Sequence, residues 1–133
     1  MKRILVVEDE LSISNLVCYN LEQAGYRVAA AFDGDEALQL VESFCPQLVT
    51  LDLLLPWQSG WQVLDTIRHH PRKQTAMLPI IVLSALSSPQ LRDDLHRCGV
   101  RHCLSKPFSV SELCLLVNTL LEEHPASAWT SPL

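Results

Sequence analysis

Five short apolar runs alternate along the chain with longer stretches whose apolar residues recur at helical spacing. The runs are residues 4–7, 27–31, 48–51, 80–83 and 102–104. Runs that are apolar at nearly every position are typical of strands buried on both faces of a parallel sheet. Because parallel strands must be joined by crossover connections, the alternation predicts an α/β sandwich built from βαβ units.

The relative strength of the apolar runs predicts the order of the strands. The first, third and fourth runs are the most apolar and belong at the centre of the sheet, whereas the second and fifth are weaker and belong at its edges. This arrangement fits the flavodoxin-like order 2-1-3-4-5. We therefore expect a three-layer sandwich in which a five-stranded parallel sheet is covered by five helices.

Capping signals place the five helices. The first covers residues 11–24 before Gly25, and the second begins at a capping box of Asp33 and Glu36. The other three begin at polar residues with the same chemistry, namely Ser59 with Gln62, Ser88 before Pro89, and Ser109 with Glu112. The last helix is predicted to end near residue 123, and residues 69–77 are predicted to be a polar connection.

The size and composition favour one globular domain. We place it at residues 1–123 of the 133, with residues 124–133 as a linker or flexible C-terminal tail. The formal net charge is −5 and Lys and Arg form no cluster, so this domain is not expected to bind nucleic acid directly. No stretch approaches the roughly 18 apolar residues of a membrane span. Five scattered cysteines suit reduced thiols in the cytoplasm better than a disulfide framework.

Asp52 ends the third apolar run, where a carboxylate is costly unless it lies at the rim of the sheet with partners. This run alone leaves two interpretations, a capping or loop carboxylate and a functional group at the carboxyl edge of the sheet. The ends of the other runs favour the second, because they carry Glu8, Asp9, Ser84 and Lys106. Ligands of such sheets bind at this edge, between the first and third strands.

These residue types together indicate a particular chemistry. Three carboxylates at one rim would repel one another unless a cation lay among them, and an all-oxygen set with few protein ligands suits Mg²⁺. Lys106 and Ser84 could hold the oxygens of an anion attached to Asp52. A carboxylate nucleophile, a divalent metal and a lysine indicate phosphoryl transfer through an aspartyl phosphate.

Four segments at these strand ends form a recognisable set. They are Val7-Glu8-Asp9-Glu10, Leu51-Asp52-Leu53-Leu54-Leu55-Pro56 with Gly60, Ser84-Ala85, and Lys106-Pro107-Phe108. With these segments the chain resembles the receiver domains of the two-component response-regulator family, over about residues 2–123. One such segment is not specific, whereas the four together are.

The resemblance implies a role for each residue. Asp52 is expected to accept a phosphoryl group from a sensor histidine kinase or phosphotransfer protein. Glu8, Asp9 and Asp52, with the backbone carbonyl of Leu54, are expected to bind Mg²⁺. Ser84 and Lys106 are expected to hold the phosphoryl oxygens, and the peptide bond before Pro107 is expected to be cis. The chain would then be a signalling phosphoacceptor that catalyses only its own phosphotransfer and slow dephosphorylation, not an enzyme.

Three positions depart from the family pattern or vary within it. Cys103 stands three residues before the lysine, where most receivers carry Tyr or Phe that swings inward during signalling. We therefore expect a different output lever, formed by the Ser84-Ala85 loop and the helix after it. Leu54 and Leu86 stand at the positions that tune hydrolysis in the family. Both are apolar and cannot orient an attacking water, so we expect a phosphoryl group that lasts hours rather than seconds.

The last helix carries more apolar residues than one buried stripe needs. Leu113, Leu116, Val117 and Leu120 suffice for the core, which leaves Cys114, Leu115 and Leu121 for an exposed patch. In receivers the face formed by the fourth and fifth of the five helices often pairs two protomers. We therefore expect a homodimer or output-domain contact there, against the alternative that neighbouring loops or the tail shield these residues.

Other functions are also consistent with parts of the sequence. The main alternative is a phosphorylation-independent pseudo-receiver that acts only through protein interactions, which Cys103 favours and the intact acidic set opposes. A hydrolase with an aspartate nucleophile lacks the usual second acid, since Leu54 stands there. A metal cluster of His96, Cys98, His102 and Cys103 lacks CxxC spacing. Trp57 and Trp61 are interpreted as packing or rim residues.

Overall fold

The computed structural model describes residues 1–85 and 88–123. Five parallel strands form one sheet in the order β2-β1-β3-β4-β5. The strands are β1 (Arg3–Val7), β2 (Arg27–Ala31), β3 (Leu48–Asp52), β4 (Ile80–Ser84) and β5 (His102–Ser105). The flavodoxin-like order and the central position of the three most apolar strands are therefore confirmed. Asp52 is the last residue of β3 rather than the first residue after it.

Six helices accompany the strands in the described residues, one more than predicted. They are α1 (Leu11–Gln23), α2 (Gly34–Ser43), α3 (Gly60–Arg68), α4 (Lys73–Ala76), α5 (Pro89–Arg97) and α6 (Val110–Glu123). The additional helix, α4, is a single turn inside the segment predicted to be a polar connection. It has no side-chain cap and no buried residue, so it leaves no apolar period in the sequence.

The predicted capping signals all begin helices. Asp33, Ser59, Ser88 and Ser109 each accept a hydrogen bond from the backbone N–H three residues later. At α3 the capping box is complete, because the Gln62 side chain also accepts from the Ser59 N–H. At α2 the Glu36 carboxylate accepts instead from the N–H of Phe32, one residue before the cap.

The sheet separates two apolar cores. On one face α2, α3 and α5 supply Ala37, Val41, Val63, Leu64, Ile67 and Leu95. On the other face α1 and α6 supply Val17, Leu21, Leu113, Val117, Leu120 and Leu121. Both faces of the central strands are thus covered, which explains why those strands are apolar at nearly every position.

Part of the prediction for the last helix was wrong. Leu121 was assigned to the exposed patch of α6, but it is buried, and Leu116 is only partly covered. Leu115 remains exposed, at 67% of its surface. The patch predicted on α6 is therefore smaller than expected.

The predicted linker or tail at residues 124–133 lies outside the described residues. Within the described part of the chain, none of the helices has the length and apolar character needed to cross a bilayer. All five cysteines are free thiols.

Candidate functional site

The acidic residues predicted as a site lie where the strand order reverses. β1 pairs with β2 on one side and with β3 on the other, so the connections after β1 and β3 leave the sheet in different directions. Glu8 and Asp9 follow β1 directly, and Asp52 ends β3. One oxygen from each of these three carboxylates lies within 4.8 Å of the other two. The structure thus brings the predicted acidic set together.

The three carboxylates differ in their exposure to solvent. The side chains of Glu8 and Asp52 lie at the base of the pocket, where the two residues are 1% and 4% exposed, whereas Asp9 is exposed at the rim. Burial, the largest effect, raises the pKa of Glu8 above its usual value, and the nearby charge of Asp52 raises it further against the hydrogen bond from Lys106.

Lys106 joins the two buried carboxylates. Its Nζ lies 2.9 Å from Glu8 Oε1 and 3.0 Å from Asp52 Oδ2. Burial acts to lower the pKa of this lysine, but its hydrogen bonds to both carboxylates and their charges together outweigh burial and raise it. Lys106 is therefore held as an ammonium. One ammonium among three carboxylates leaves an excess of two negative charges, which a divalent cation would neutralise.

The remaining oxygen of Asp52 is fixed by the loop after β3. The Leu54 N–H donates to Asp52 Oδ1 at 3.0 Å, and the Gly60 N–H donates to the Leu53 carbonyl at 2.9 Å. Gly60 has no room for a side chain, because a Cβ there would lie 2.6 Å from the Leu53 Cα. The loop can close against Asp52 only with glycine at this position.

Ser84 and the residues around Lys106 complete the edge. Ser84 is the last residue of β4 and is buried, opposite Ser105 in the parallel register with β5. The Lys106 N–H donates to the Ser84 carbonyl at 2.8 Å, which ties the loop after β5 to the end of β4. The peptide bond between Lys106 and Pro107 is cis, as predicted.

Cys103 occupies β5 three residues before Lys106 and is partly buried against the core that includes α5. Burial raises the pKa of its thiol, and the charge of Arg92 on α5 partly opposes this. The side chain at this position is thus a neutral, small, half-covered group next to α5.

The structure assembles all five predicted side chains at one edge, but it adds a contact that sequence reasoning missed. Lys106 was expected to pair only with a phosphoryl group on Asp52, whereas it also pairs with Glu8. The signal in the sequence was a second acid, Glu8, directly after an apolar run. The donor set of carboxylate oxygens fits Mg²⁺, which prefers oxygen ligands and keeps several waters.

Comparison with known families decides the membership of the chain. The model of the response regulator receiver domain matches residues 4–118. The chain belongs to this family. The four quoted segments all lie within the matched residues, so the resemblance noted in the sequence is confirmed over residues 4–118.

Curated relatives of this receiver domain include transcriptional regulators. It is 40% identical over 121 residues to the DNA-binding dual master transcriptional regulator RpaA of Synechocystis, with 91% of this chain and 49% of that protein covered. It is 38% identical over 130 residues to the alkaline phosphatase synthesis transcriptional regulatory protein PhoP of Bacillus subtilis, with 98% and 52% covered. The chain spans about half the length of these relatives.

Solved structures similar to this receiver domain share its fold. The receiver domain of the Francisella response regulator 1452 superposes with a TM-score of 0.84 at 31% identity, covering 93% of this chain and 99% of that one. The chemotaxis protein CheY4 of Vibrio cholerae gives 0.83 at 29% identity, covering 91% and 99%. The chain is thus a receiver domain of two-component signalling, and the pseudo-receiver alternative is not favoured.

Proposed function

We propose that Asp52 is the phosphoacceptor of this receiver domain. The observation that carries the proposal is the contact of Lys106 with both Asp52 and Glu8 at the base of an acidic pocket. The ammonium donates to Asp52 Oδ2 and holds this carboxylate in a fixed orientation, as a nucleophile requires. Asp9 stands at the entrance to the same pocket.

Glu8, Asp9 and Asp52 are the residues that would hold Mg²⁺, together with the backbone carbonyl of Leu54. A bound Mg²⁺ would supply neutralisation of the charge on the transferring phosphoryl group. The fit rests on the three carboxylate oxygens that lie within 4.8 Å of one another. Glu8 Oε1 pairs with Lys106, and Glu8 Oε2 accepts a hydrogen bond from the Glu10 N–H at 3.2 Å.

The proposed step is a transfer from a phosphohistidine to Asp52. A carboxylate oxygen of Asp52 attacks phosphorus while the bond between phosphorus and the imidazole nitrogen breaks, and the electron pair of that bond returns to the ring. Lys106 then exchanges its contact with Asp52 for a contact with a phosphoryl oxygen, and the Ser84 hydroxyl donates to another. Neither residue transfers a proton in this step.

We further propose that the aspartyl phosphate is long-lived. Leu54, at one of the two positions that tune hydrolysis, is 61% exposed and has no group that could orient a water. The second position, Leu86, lies outside the described residues. Losing one water-orienting contact is enough to slow hydrolysis about a hundredfold, since that corresponds to about 2.7 kcal/mol.

The partners of the domain are also part of the proposal. The donor would be a sensor histidine kinase or a phosphotransfer protein of the cytoplasm. The surface formed by α5 and α6, which correspond to the fourth and fifth predicted helices, would contact a second protomer or an output domain. Exposed Leu115 on α6 supports this assignment. A role in DNA-binding regulation would need such an output domain.

The experiment that tests the function is incubation with acetyl phosphate and Mg²⁺ followed by mass spectrometry of the intact protein. We expect wild type to gain one phosphoryl group, about 80 Da. Asp52→Asn should gain none, and Asp93→Asn, which alters an exposed aspartate on α5, should behave as wild type. Absence of any gain in wild type would instead support a module that acts only through protein interactions.

A further inference from the structure

The loop between β3 and α3 presents a tryptophan in an unusual way. Trp57 has a backbone φ of +69°, and 93% of its surface is exposed. It is one of two described non-glycine residues with positive φ. Both features are unfavourable for an isolated domain, because a large apolar ring gains from burial and an L-residue avoids this backbone region.

The conformation of Trp57 is imposed by its neighbours. The Gln58 N–H donates to the Pro56 carbonyl at 2.7 Å, which closes a three-residue turn around Trp57. A γ-turn whose central residue has positive φ is rare and strained. Pro56 restricts the backbone conformation of Leu55, the residue before the turn. The Gln58 side chain packs against Gly34 at the start of α2. The fold therefore holds the indole outward.

Both ends of this loop lie against the phosphoacceptor. The Leu54 N–H donates to the Asp52 carboxylate, and the Gly60 N–H donates to the Leu53 carbonyl. Gly60 also lies close to the backbone of Asp52. Trp57 follows Leu53 by four positions in the chain, so the apex of the loop lies at most about 14 Å from its base. The loop between β3 and α3 thus forms part of the rim of the Asp52 pocket, and it carries the exposed side chains of Trp57 and Leu54.

The position of Asp52 requires its donor to contact this rim. Asp52 is 4% exposed, so a donor imidazole must enter the pocket, and the protein that carries it must cover the surrounding loops. Tryptophan is the residue type most enriched where truncation at protein interfaces is costly. Strained backbone held by over-determined surroundings is found at functional surfaces of this kind.

We propose that Trp57 is a specificity-determining residue, which the histidine-bearing face of the phosphodonor protein covers during transfer to Asp52. This inference rests on the proposed function of Asp52. Trp57 contributes to recognition of the donor protein, whereas Asp52, Lys106 and Ser84 carry the chemistry. A small phosphodonor has no surface that could reach the indole.

The test compares a protein donor with a small donor. The cytoplasmic regions of the histidine kinases of the source organism are autophosphorylated with labelled ATP, and the one that phosphorylates the wild-type chain fastest is the probe. The rates with this kinase and with acetyl phosphate are then measured for wild type, Trp57→Ala and Trp57→Phe. Met77→Ala is the matched control, because it truncates an exposed apolar residue at the opposite edge of the sheet, before β4.

We expect the ratio of the kinase-dependent rate to the acetyl phosphate rate to fall at least tenfold in Trp57→Ala, through KM rather than kcat. Trp57→Phe should recover part of the loss, and Met77→Ala should keep the wild-type ratio. An unchanged ratio in Trp57→Ala would overturn the inference, as would acetyl phosphate labelling of Asp52 with no kinase able to transfer. A loss of both rates in Trp57→Ala would also overturn it, since the residue would then act on the pocket itself. Failure of acetyl phosphate to label wild type would contradict the proposed function instead.

Discussion

At the scale of single residues, the central feature of the pocket is that two carboxylates, Glu8 and Asp52, share the ammonium of Lys106. Glu8 and Asp52 are both buried and both lie within 3.0 Å of Lys106. Burial raises the pKa of Glu8 most, and repulsion from the nearby charge of Asp52 raises it further. The pocket is therefore maintained at the expense of stability, which is common at sites where charge must be concentrated for binding.

The raised pKa of Glu8 predicts how stability depends on pH. A carboxyl group whose pKa is higher in the folded than in the unfolded state stabilises the fold while it is protonated. This contribution is lost as the pH rises above 4.5 through the folded-state pKa. The loss amounts to about 1.4 kcal/mol for each unit by which the pKa is raised.

We therefore expect the free energy of unfolding of Glu8→Gln, relative to that of wild type, to increase as the pH is raised from 4.5 to 7.5 in a buffer without Mg²⁺. Urea unfolding at several pH values measures this difference. Glu22→Gln, at an exposed glutamate of α1, is the control and should show no such trend. A constant difference between wild type and Glu8→Gln across the range would contradict the assigned cause.

At the scale of elements, Arg68 at the end of α3 joins three helices. Its guanidinium donates to the carbonyls of Cys98 and Gly99 after α5, at 2.6 and 3.3 Å, and to those of Ala76 and Leu78 around the end of α4, at 3.0 and 2.9 Å. Burial lowers the pKa of this arginine. Carbonyls at helix ends lack partners within the helix, so one side chain satisfies several at once.

Replacing Arg68 should loosen these helix ends. We expect Arg68→Met to lower the free energy of unfolding by about 2 kcal/mol, because several carbonyls lose a charged donor. Arg68→Lys should lose a smaller amount, since an ammonium cannot reproduce the planar fork. Denaturant unfolding measures both, and Arg101→Met at a nearby exposed arginine is the control. A loss no larger than that of the control would show that water replaces the guanidinium.

The elements also show where sequence reasoning reaches its limit. β1, β3 and β4 were predictable because burial on both faces leaves an apolar residue at nearly every position. α4 was not, since a single turn has no period, and the carbonyls around its end are bound by a residue of α3. The buried stripe of α6 was rotated relative to the prediction. Residues 113, 117, 120 and 121 fit a helical face as well as the predicted set, and only packing against α1 and the sheet selects between them.

At the scale of the whole molecule, the candidate site and the proposed output surface occupy different regions. The acidic side chains were predictable as a group, because parallel strands bring their carboxyl ends to one edge. The pairing of Lys106 with Glu8 was not, since it joins residues from opposite ends of the chain and depends on how far each side chain reaches. The proposed output surface lies on α5 and α6, and α6 carries exposed Leu115.

We expect phosphorylation to promote self-association through this surface. Wild type with beryllofluoride and Mg²⁺ should sediment with a larger average mass than the untreated protein. Leu115→Ser should reduce that increase, because an exposed leucine at an interface contributes apolar burial. Leu16→Ser, at a leucine of α1 that is 51% exposed, should leave the increase intact. A wild type that sediments identically under both conditions would contradict a dimer on this surface.

The two contacts of Lys106 have a mechanical consequence. Lys106, directly after the outermost strand β5, contacts Glu8 directly after β1 and Asp52 at the end of β3. When Asp52 is modified, the Lys106 ammonium must change its contact with this residue. Glu8 shares the same ammonium, so its own ion pair is weakened or strengthened by that change. A chemical change at one carboxylate thereby alters contacts that link the ends of β1, β3 and β5.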